Sequence, residues 1–306
     1  MFFSQKRSKL LSFKSSVGII LSYRGGVSMI KAIFFDVDGT LLSRNGRVSR
    51  STKRAISLAQ KNGVLCGVST GRGPRSLRRI VKDLNLDMFV TYNGQLVYDQ
   101  HKMIYAHPFE KRVIDEIVTY ANQNSRQLLF GSLKQVEGSL TMRIGESGFI
   151  RRFIRFVPKN FPVRTVKLAL QKFSPNRRKE RYSNLAIFEE PIYQCMMFGA
   201  EYENEKLIKA LPNCDFQRSN PYTVDLVPKG GSKVQGIQHF LADKGLTFEE
   251  TMAFGDHLND IEMLKIVGIG VAMGNAQQGT KEIADFVTDS HQHQGIEKAL
   301  KYFKVI

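Results

Sequence analysis

Two aspartates stand close together directly after an apolar stretch, at a position where carboxylates are available for chemistry. Asp36 and Asp38 follow residues 33–35, a short apolar run typical of a strand buried on both faces. Because side chains alternate along an extended segment, residues two apart point the same way. We therefore expect both carboxylates to face one site beyond the carboxyl end of this strand, where open α/β sheets bind ligands. Gly39 allows a sharp turn of the backbone there, and Thr40 adds a hydroxyl.

The closeness of these two carboxylates carries an electrostatic cost. Two like charges repel each other unless a cation lies between them or one of them holds a proton. An Asx turn at the end of a strand explains one aspartate easily but explains two poorly. The pair therefore indicates either a cation site or proton-transfer chemistry.

A second apolar run, residues 64–68, also ends in polar groups. It leads into Thr70, Gly71 and Arg72, and Pro74 then marks the start of a helix. A hydroxyl, exposed backbone N–H groups and an arginine at a helix start favour an anion cradle. A capped turn is the competing interpretation of the same residues.

Two further junctions lie in the last third of the chain. Lys233 begins a predicted helix, where a cation opposes the helix dipole unless an anion is bound nearby. A lysine that simply faces solvent is the alternative. Asp256 and Asp260 follow a third apolar run and bracket another predicted helix N-terminus. Four junctions of the same kind are explained most simply by a single polar site at one edge of a sheet.

The elements that must position these residues alternate between strand and helix. A helix with Ser49 or Ser51 as its cap and Gly63 at its end connects the first two strands into a right-handed βαβ unit. Further strands are predicted near residues 88–91 and 269–272, and a hairpin follows the first of them. This alternation predicts an α/β fold with a parallel sheet. From Phe109 the pattern becomes irregular, as in a mixed α+β insertion.

Composition limits the class of protein. The chain has 306 residues, 42% of them hydrophobic, enough for one large or two ordinary globular domains. Its three cysteines form no C-x-x-C pair, which favours buried thiols in a reducing compartment, and we predict a cytoplasmic protein. We expect no membrane association and a monomer or a weak homo-oligomer.

The net charge of +17 is concentrated in two places. Residues 1–35 contain six basic residues and no acidic one, which suits a transit or signal peptide or an extension upstream of a start at Met29. We favour the extension and expect residues 1–28 to be disordered or loosely held. Residues 143–181 contain twelve basic and two acidic residues with interleaved phenylalanines. Nucleic-acid binding competes here with a solvated basic helix face that attracts a small anionic substrate.

Taken together, four segments resemble the motifs of the haloacid dehalogenase (HAD) superfamily. They are DVDGT at residues 36–40, STGR at 69–72, GGSK at 230–233 and GDHLND at 255–260. Their order resembles the Cof-type phosphatases of subfamily IIB, with a large cap between the second and third motifs. His257 and the Gly230–Gly231 pair depart from the family pattern, but the matched residues keep their positions within the motifs.

The resemblance implies an α/β fold: a Rossmann-like three-layer core with a parallel sheet and an inserted α+β cap of the C2B type. The core would comprise residues 29–108 and 225–306, and the cap residues 109–224. The motif match covers the core, whereas the cap matches only in position and general make-up.

The resemblance also implies a Mg²⁺-dependent phosphatase acting on small phosphomonoesters, such as a sugar phosphate, FMN, PLP or a nucleotide. Asp36 would be the nucleophile that forms an aspartyl-phosphate, and Asp38 the general acid and base. Mg²⁺ would be held by Asp36, Asp256 and the backbone carbonyl of Asp38. The phosphate oxygens would be bound by Val37, Thr70, Gly71, Lys233 and Asn259.

Two other functions remain open at this point. A phosphomutase of the same fold would need a bisphosphorylated activator and would release no phosphate. A nucleic-acid-binding protein with a vestigial core would bind in a salt-sensitive manner and show no metal-dependent turnover. Asp38 argues against the dehalogenases, which lack this residue, and against the transport ATPases, which replace it with threonine.

Overall fold

The computed structural model describes residues 29–43, 46–139, 182, 185–218 and 221–306 of the chain. The predicted disordered extension, residues 1–28, and the basic stretch of residues 143–181 lie outside the described residues. The structure consists of two sheets with helices packed on them, and the α/β fold class predicted from the sequence is confirmed.

The larger sheet has eight strands in the order β13-β12-β11-β1-β2-β3-β4-β5. The strands from β13 to β3 run parallel, and β4 and β5 form an antiparallel hairpin at one edge. Their bounds are β1 Ala32–Phe35, β2 Leu65–Ser69, β3 Met88–Thr91, β4 Leu96–Asp99, β5 Met103–Ala106, β11 Thr251–Gly255, β12 Ile269–Ala272 and β13 Phe286–Val287.

Helices cover both faces of this sheet, so the core has three layers. The described helices are α1 Arg50–Lys61, α2 Pro74–Val81, α3 Lys111–Gln123, α4 Asn204–Ala210, α5 Lys233–Lys244, α6 Ile261–Ile266, α7 Gln278–Ile283 and α8 Gly295–Tyr302. On β1, Ile33 and Phe35 pack towards α1, α2 and α8, whereas Phe34 packs towards α5 and α6. A strand buried on both faces needs a continuous apolar run, which is what residues 33–35 provide.

Local signals fix the ends of the helices that matter for the site. Ser49 caps α1 and accepts a hydrogen bond from the Thr52 amide at 3.1 Å. Ser232 caps α5 in the same way, and Gly245 ends that helix in the left-handed conformation with φ +64°. Because Ser232 fixes the first turn of α5, the next residue, Lys233, is held at the helix start.

The smaller sheet has five antiparallel strands in the order β7-β6-β8-β10-β9. Their bounds are β6 Leu128–Gly131, β7 Val136–Gly138, β8 Gln194–Phe198, β9 Cys214–Gln217 and β10 Thr223–Pro228. We call residues 109–228 the cap. Strand β10 crosses the predicted boundary at residues 224/225 and pairs with β8 and with β9, the latter as far as Pro228.

Both passages of the chain between core and cap contact the same buried residue, Gln95. On the outgoing passage, the His107 amide donates to the Gln95 carbonyl at 2.8 Å. On the returning passage, Gly231 packs so closely that a Cβ there would lie 1.8 Å from Gln95 Nε2. The two ends of the cap therefore meet at one point of the core.

The cysteines agree with the expectation drawn from the sequence. The thiols of Cys66, Cys195 and Cys214 are free and buried, as predicted, and burial raises the pKa of each. None of the helices in the described ranges combines the length and the apolar character needed to cross a bilayer.

Candidate active site

The polar residues predicted from four strand and helix ends lie along one edge of the larger sheet. Strand β1 lies between β11 and β2 and runs parallel to both, so the three carboxyl ends point the same way. Asp36 and Asp38 follow β1, Thr70 follows β2, and Asp256 follows β11. Parallel pairing thus brings together residues that are far apart in the sequence.

A buried lysine connects two of the carboxylates. Lys233 Nζ lies 2.7 Å from Asp36 Oδ1 and 2.7 Å from Asp260 Oδ1. The Lys233 side chain is 4% exposed and that of Asp260 is 0% exposed. A buried charge is tolerated when it is paired and hydrogen-bonded, as all three are here. The solvent-facing alternative for Lys233 is therefore wrong.

Burial and the neighbouring charges shift the pKa values of this group. Burial raises the pKa of Asp36 to about 7, with Lys233 opposing the shift and Asp260 and Asp38 adding to it. Burial alone would lower the pKa of Lys233, but the charges of Asp260 and Asp36 outweigh it, and its pKa lies above the ordinary value. The ammonium therefore stays charged beside Asp36.

Asp260 is a structural partner that the sequence analysis noted without giving it a role. Its Oδ2 accepts hydrogen bonds from the backbone amides of Asp256 and His257, both at 3.0 Å. Its Oδ1 accepts from Lys233. Both oxygens are thus occupied in holding the turn after β11 and the lysine. The signal available in the sequence was an acidic residue at the first turn of a helix.

Three carboxylates converge where a cation would be expected. Oxygens of Asp36, Asp256 and Asp260 lie within 4.8 Å of one another. Lys233 offsets part of their charge, and Asp260 is committed to hydrogen bonds. Asp36 and Asp256 remain the carboxylates suited to a metal, and oxygen donors are the ligands that Mg²⁺ prefers. The residues present therefore fit a hard divalent cation.

Gly39 lets the loop after β1 pass against Asp256. It has φ +100°, and a Cβ there would lie 2.2 Å from Asp256 Oδ2. Thr40 Oγ1 donates to Asp256 Oδ1 at 3.2 Å, and Asn275 Nδ2 donates to the Gly39 carbonyl at 2.8 Å. Asn275 Oδ1 in turn accepts a hydrogen bond from the backbone amide of His291 at 3.1 Å. These contacts fix the loop that carries both aspartates.

Arg72, which its place beside Thr70 suggested as an anion ligand, forms an ion pair with Asp38. Its Nε lies 2.6 Å from Asp38 Oδ2 and its Nη2 lies 2.7 Å from Asp38 Oδ1. The Arg72 side chain is 13% exposed and that of Asp38 is 43% exposed. Nη1 also donates to Ser76 at 2.9 Å. A two-point contact of this kind fixes the orientation of an otherwise accessible carboxylate.

The remaining predicted phosphate ligands lie at the same edge. Thr70 and Val37 are buried, and Gly71 packs against the Asn93 side chain. Asn259 is half-buried in the turn after β11. Among the described residues, no side-chain hydrogen bond engages Asn259, so its amide is available to a ligand. Of the predicted phosphate ligands, Lys233 is the one that contacts another predicted site residue, Asp36, through its side chain.

The fold and the site define a Rossmann-like α/β enzyme whose cap is inserted beside an acidic strand-end site. Residues 33–300 match the family profile of haloacid dehalogenase-like hydrolases, and the chain belongs to that family. YkrA of Bacillus subtilis is 30% identical over 271 residues, 89% of this chain and 96% of YkrA. The resemblance drawn from the four motifs is confirmed, and the chain is a Cof-type HAD phosphatase.

Two further relatives indicate the variety within this group. The 5-amino-6-(5-phospho-D-ribitylamino)uracil phosphatase YcsE of Bacillus subtilis is 28% identical over 282 residues, 90% of this chain and 96% of YcsE. The solved structure of the HAD subclass IIB sugar phosphatase BT4131 superposes with a TM-score of 0.71 at 28% identity, covering 90% of this chain and 100% of that one. Similarity of this kind extends over the cap as well as the core.

Proposed function

We propose that this protein is a Mg²⁺-dependent phosphatase that hydrolyses small phosphomonoesters through an aspartyl-phosphate on Asp36. The observation that carries the proposal is the buried contact of Asp36 with Lys233, next to Asp256 and within one loop of Asp38. Phosphoryl transfer depends mainly on positioning and on neutralising charge. Two carboxylates and an ammonium group lie at the end of one sheet. Together they supply the positioning and the charge neutralisation.

In the first half-reaction, an oxygen of Asp36 forms a bond to phosphorus while the ester P–O bond breaks. Asp38 gives its proton to the leaving alkoxide, which departs as the alcohol. In the second half-reaction, Asp38 takes a proton from water, and the resulting hydroxide attacks phosphorus. The bond between Asp36 and phosphorus then breaks, which releases phosphate and restores the carboxylate.

The remaining residues bind the phosphoryl group. Lys233 is close enough to Asp36 to place its positive charge against a phosphoryl oxygen. The Asn259 side chain makes no hydrogen bond to any other described residue. We assign the other contacts to Thr70, to Gly71 and to the Val37 amide. When bound, Mg²⁺ would be held by Asp36, Asp256 and the backbone carbonyl of Asp38 and would neutralise phosphoryl charge.

The test is phosphate release from a panel of phosphomonoesters, with Mg²⁺ and then with excess EDTA, using the native chain and Asp36→Asn in parallel. We expect metal-dependent release that falls by at least about 10³-fold in the variant, because an amide is a poor nucleophile at phosphorus. Asp115→Asn, on the exposed side of α3 in the cap, is the matched control and should keep full activity.

Two results would contradict the proposal. One is undiminished turnover by Asp36→Asn, which would place the nucleophile elsewhere. The other is transfer of phosphate between positions of a substrate, without free phosphate and with a requirement for a bisphosphate, which would identify a mutase.

A further inference from the structure

One face of the core carries a large excess of positive charge that the proposed reaction does not use. Residues 39–82 contain eleven basic residues and no acidic one. They include α1 and α2, which pack on the same side of the larger sheet, with Ile56 of α1 and Leu77 of α2 in one apolar cluster. Lys53 of α1 lies 2.8 Å from Asp83, just after α2. We call the outer surface of these two neighbouring helices the α1–α2 face.

The basic side chains of α2 form a row along the helix. Positions 75, 78, 79 and 82 follow the spacing i, i+3, i+4 and i+7, which places them on one side of a helix. On α1, Arg50 and Arg54 are likewise one turn apart, and both are exposed. The exposed cations of the second helix, which we call the α2 row, are Arg75, Arg78, Arg79 and Lys82.

Little of this charge is neutralised by the rest of the protein. Lys53 is paired with Asp83, and Arg54 lies 2.7 Å from Glu297. Within the described ranges, no ion pair includes a member of the α2 row. The parts of the chain outside those ranges contain only two acidic residues, so they cannot balance the charge of this face.

Several of these cations stand where they weaken their own helix. Arg50 is the first residue of α1 and Arg75 lies in the first turn of α2, and neither first turn contains an acidic residue. The helix dipole disfavours a cation at that end. The like charges of Arg75 and Arg79, four residues apart, also repel each other. An anionic partner along the α1–α2 face would remove both costs.

The residue types of this face indicate the chemistry of that partner. Eight of the eleven basic residues are arginines, whose planar fork binds phosphate at two points. Residues 39–82 contain no aromatic residue, whereas proteins that bind single strands stack bases on aromatic rings. Among the described residues of this stretch, Leu58 is the one large apolar side chain that is exposed, and surfaces that enter a membrane present several. A regular array of phosphates without exposed bases fits best.

From these observations we propose that the α1–α2 face binds double-helical nucleic acid through its phosphates, without reading the base sequence. At a rise of about 1.5 Å per residue, the α2 row is about 10 Å long. That length matches about three phosphates of one strand, which are spaced by about 3.4 Å along the duplex axis. The duplex is bound as a ligand and is not changed chemically. This activity is separate from the proposed phosphatase function.

Fluorescence anisotropy with a labelled 20-bp DNA duplex tests the proposal, using the full chain between about 50 and about 300 mM KCl. The variant Arg75→Gln/Arg78→Gln/Arg79→Gln removes three charges and keeps residues suited to a helix. It should bind at least about 10-fold more weakly at 100 mM KCl, and the slope of log K against log[KCl] should become shallower by about 2 to 3. Its kcat on a small phosphomonoester should equal that of the native chain.

A second triple variant controls for net charge. Lys206→Gln/Lys209→Gln/Lys265→Gln removes the same number of charges from exposed positions. Two of these lysines lie on α4 of the cap, and the third lies on α6, on the opposite side of the sheet from α1 and α2. This variant should keep the affinity to within about threefold and should keep the salt slope.

Three results would overturn the inference. Equal losses in the two triple variants would show that net charge alone attracts the duplex. Unchanged binding in the arginine variant would place the duplex elsewhere, on the basic stretch of residues 143–181. Binding to vesicles of phosphatidylcholine and phosphatidylglycerol at a 3:1 ratio, without binding to the duplex, would identify a membrane surface instead. Because no step of the test depends on turnover, failure of the proposed phosphatase function would leave its outcome unchanged.

Discussion

At the scale of single residues, the contact between Arg72 and Asp38 has a direct chemical consequence. Asp38 is accessible to solvent, so its rotamer is set mainly by the two-point contact with the guanidinium. Lysine offers a single charge without the planar fork and cannot reproduce that geometry. The orientation of the proposed acid should therefore depend on arginine at this position.

We expect Arg72→Lys to lower kcat on alkyl phosphates by about 10- to 100-fold, a range typical of disturbed general acid catalysis. The loss on p-nitrophenyl phosphate should be much smaller, because p-nitrophenolate departs without a proton. The measurement is the ratio of kcat between the two esters. Arg54→Lys, whose arginine contacts Glu297 away from the site, is the control. Equal losses on both esters would indicate that Arg72 acts on the phosphoryl group instead.

At the scale of elements, the hairpin of β4 and β5 depends on one carboxylate at its turn. Asp99 Oδ1 accepts from the amides of His101 and Lys102, both at 2.8 Å, and its Oδ2 accepts from Lys244 on α5 at 2.9 Å. Burial would raise the pKa of Asp99, but Lys244 and the two amides outweigh it and hold the pKa well below its ordinary value. The ionised carboxylate thus connects the hairpin to a helix of the core.

The sign of the pH dependence follows from that depressed pKa. The stabilisation is complete above the unfolded-state pKa of about 4 and is lost as the pH falls through the lower native value. Asp99→Asn should therefore be less stable by about 2 kcal/mol at neutral pH. Its free energy of unfolding should also fall less steeply between about pH 5 and about pH 2.

Urea unfolding at a series of pH values measures this slope. Asp115→Asn, whose aspartate is exposed on α3, should retain the slope of the native protein. If the free energy of unfolding of Asp99→Asn varied with pH as steeply as that of the native protein, Asp99 would not be the source of the difference in proton binding between the folded and unfolded states.

The sequence predicted those parts of the fold and the site that rest on local patterns. The strands that lead into Asp36, Thr70 and Asp256 are short apolar runs followed by polar groups. Each of these patterns is contained in a few neighbouring residues. The cap boundary is harder to predict, because the sequence of strand β10 looks the same whichever sheet the strand joins. Strand pairing depends on partners far along the chain, which a local pattern does not contain.

The same reasoning explains which site contacts were missed. Two of these contacts depend on how separate loops approach each other. They are the contact of Arg72 with Asp38 and that of Asn275 with the Gly39 carbonyl. Residue types alone left Arg72 equally suited to a phosphate. Asp260 gave a clearer signal, since an acid at a helix start is recognisable, but its partner Lys233 lies on another helix.

At the scale of the whole molecule, the net charge of +17 acts on an anionic substrate at a distance. A positive field raises the rate of encounter with a phosphomonoester, and salt screens it. We expect kcat/KM to fall by about two- to fivefold between about 20 mM and about 300 mM KCl at constant Mg²⁺, with kcat unchanged. Steady-state kinetics at several salt concentrations test this, with equal KCl and potassium acetate series as a control for specific chloride effects. A salt-independent kcat/KM would contradict long-range attraction.

The contact of both cap passages with Gln95 has a consequence for how such molecules diverge. Since the core itself holds the two ends of the cap together, the chain between them closes a loop whose span is already fixed. The entropy of closing a flexible loop grows only with the logarithm of its length, by about 0.6 kcal/mol for each doubling. Residues can therefore be gained, lost or replaced between these ends at little thermodynamic cost, and evolution is free to change what is recognised while the reacting groups stay in place.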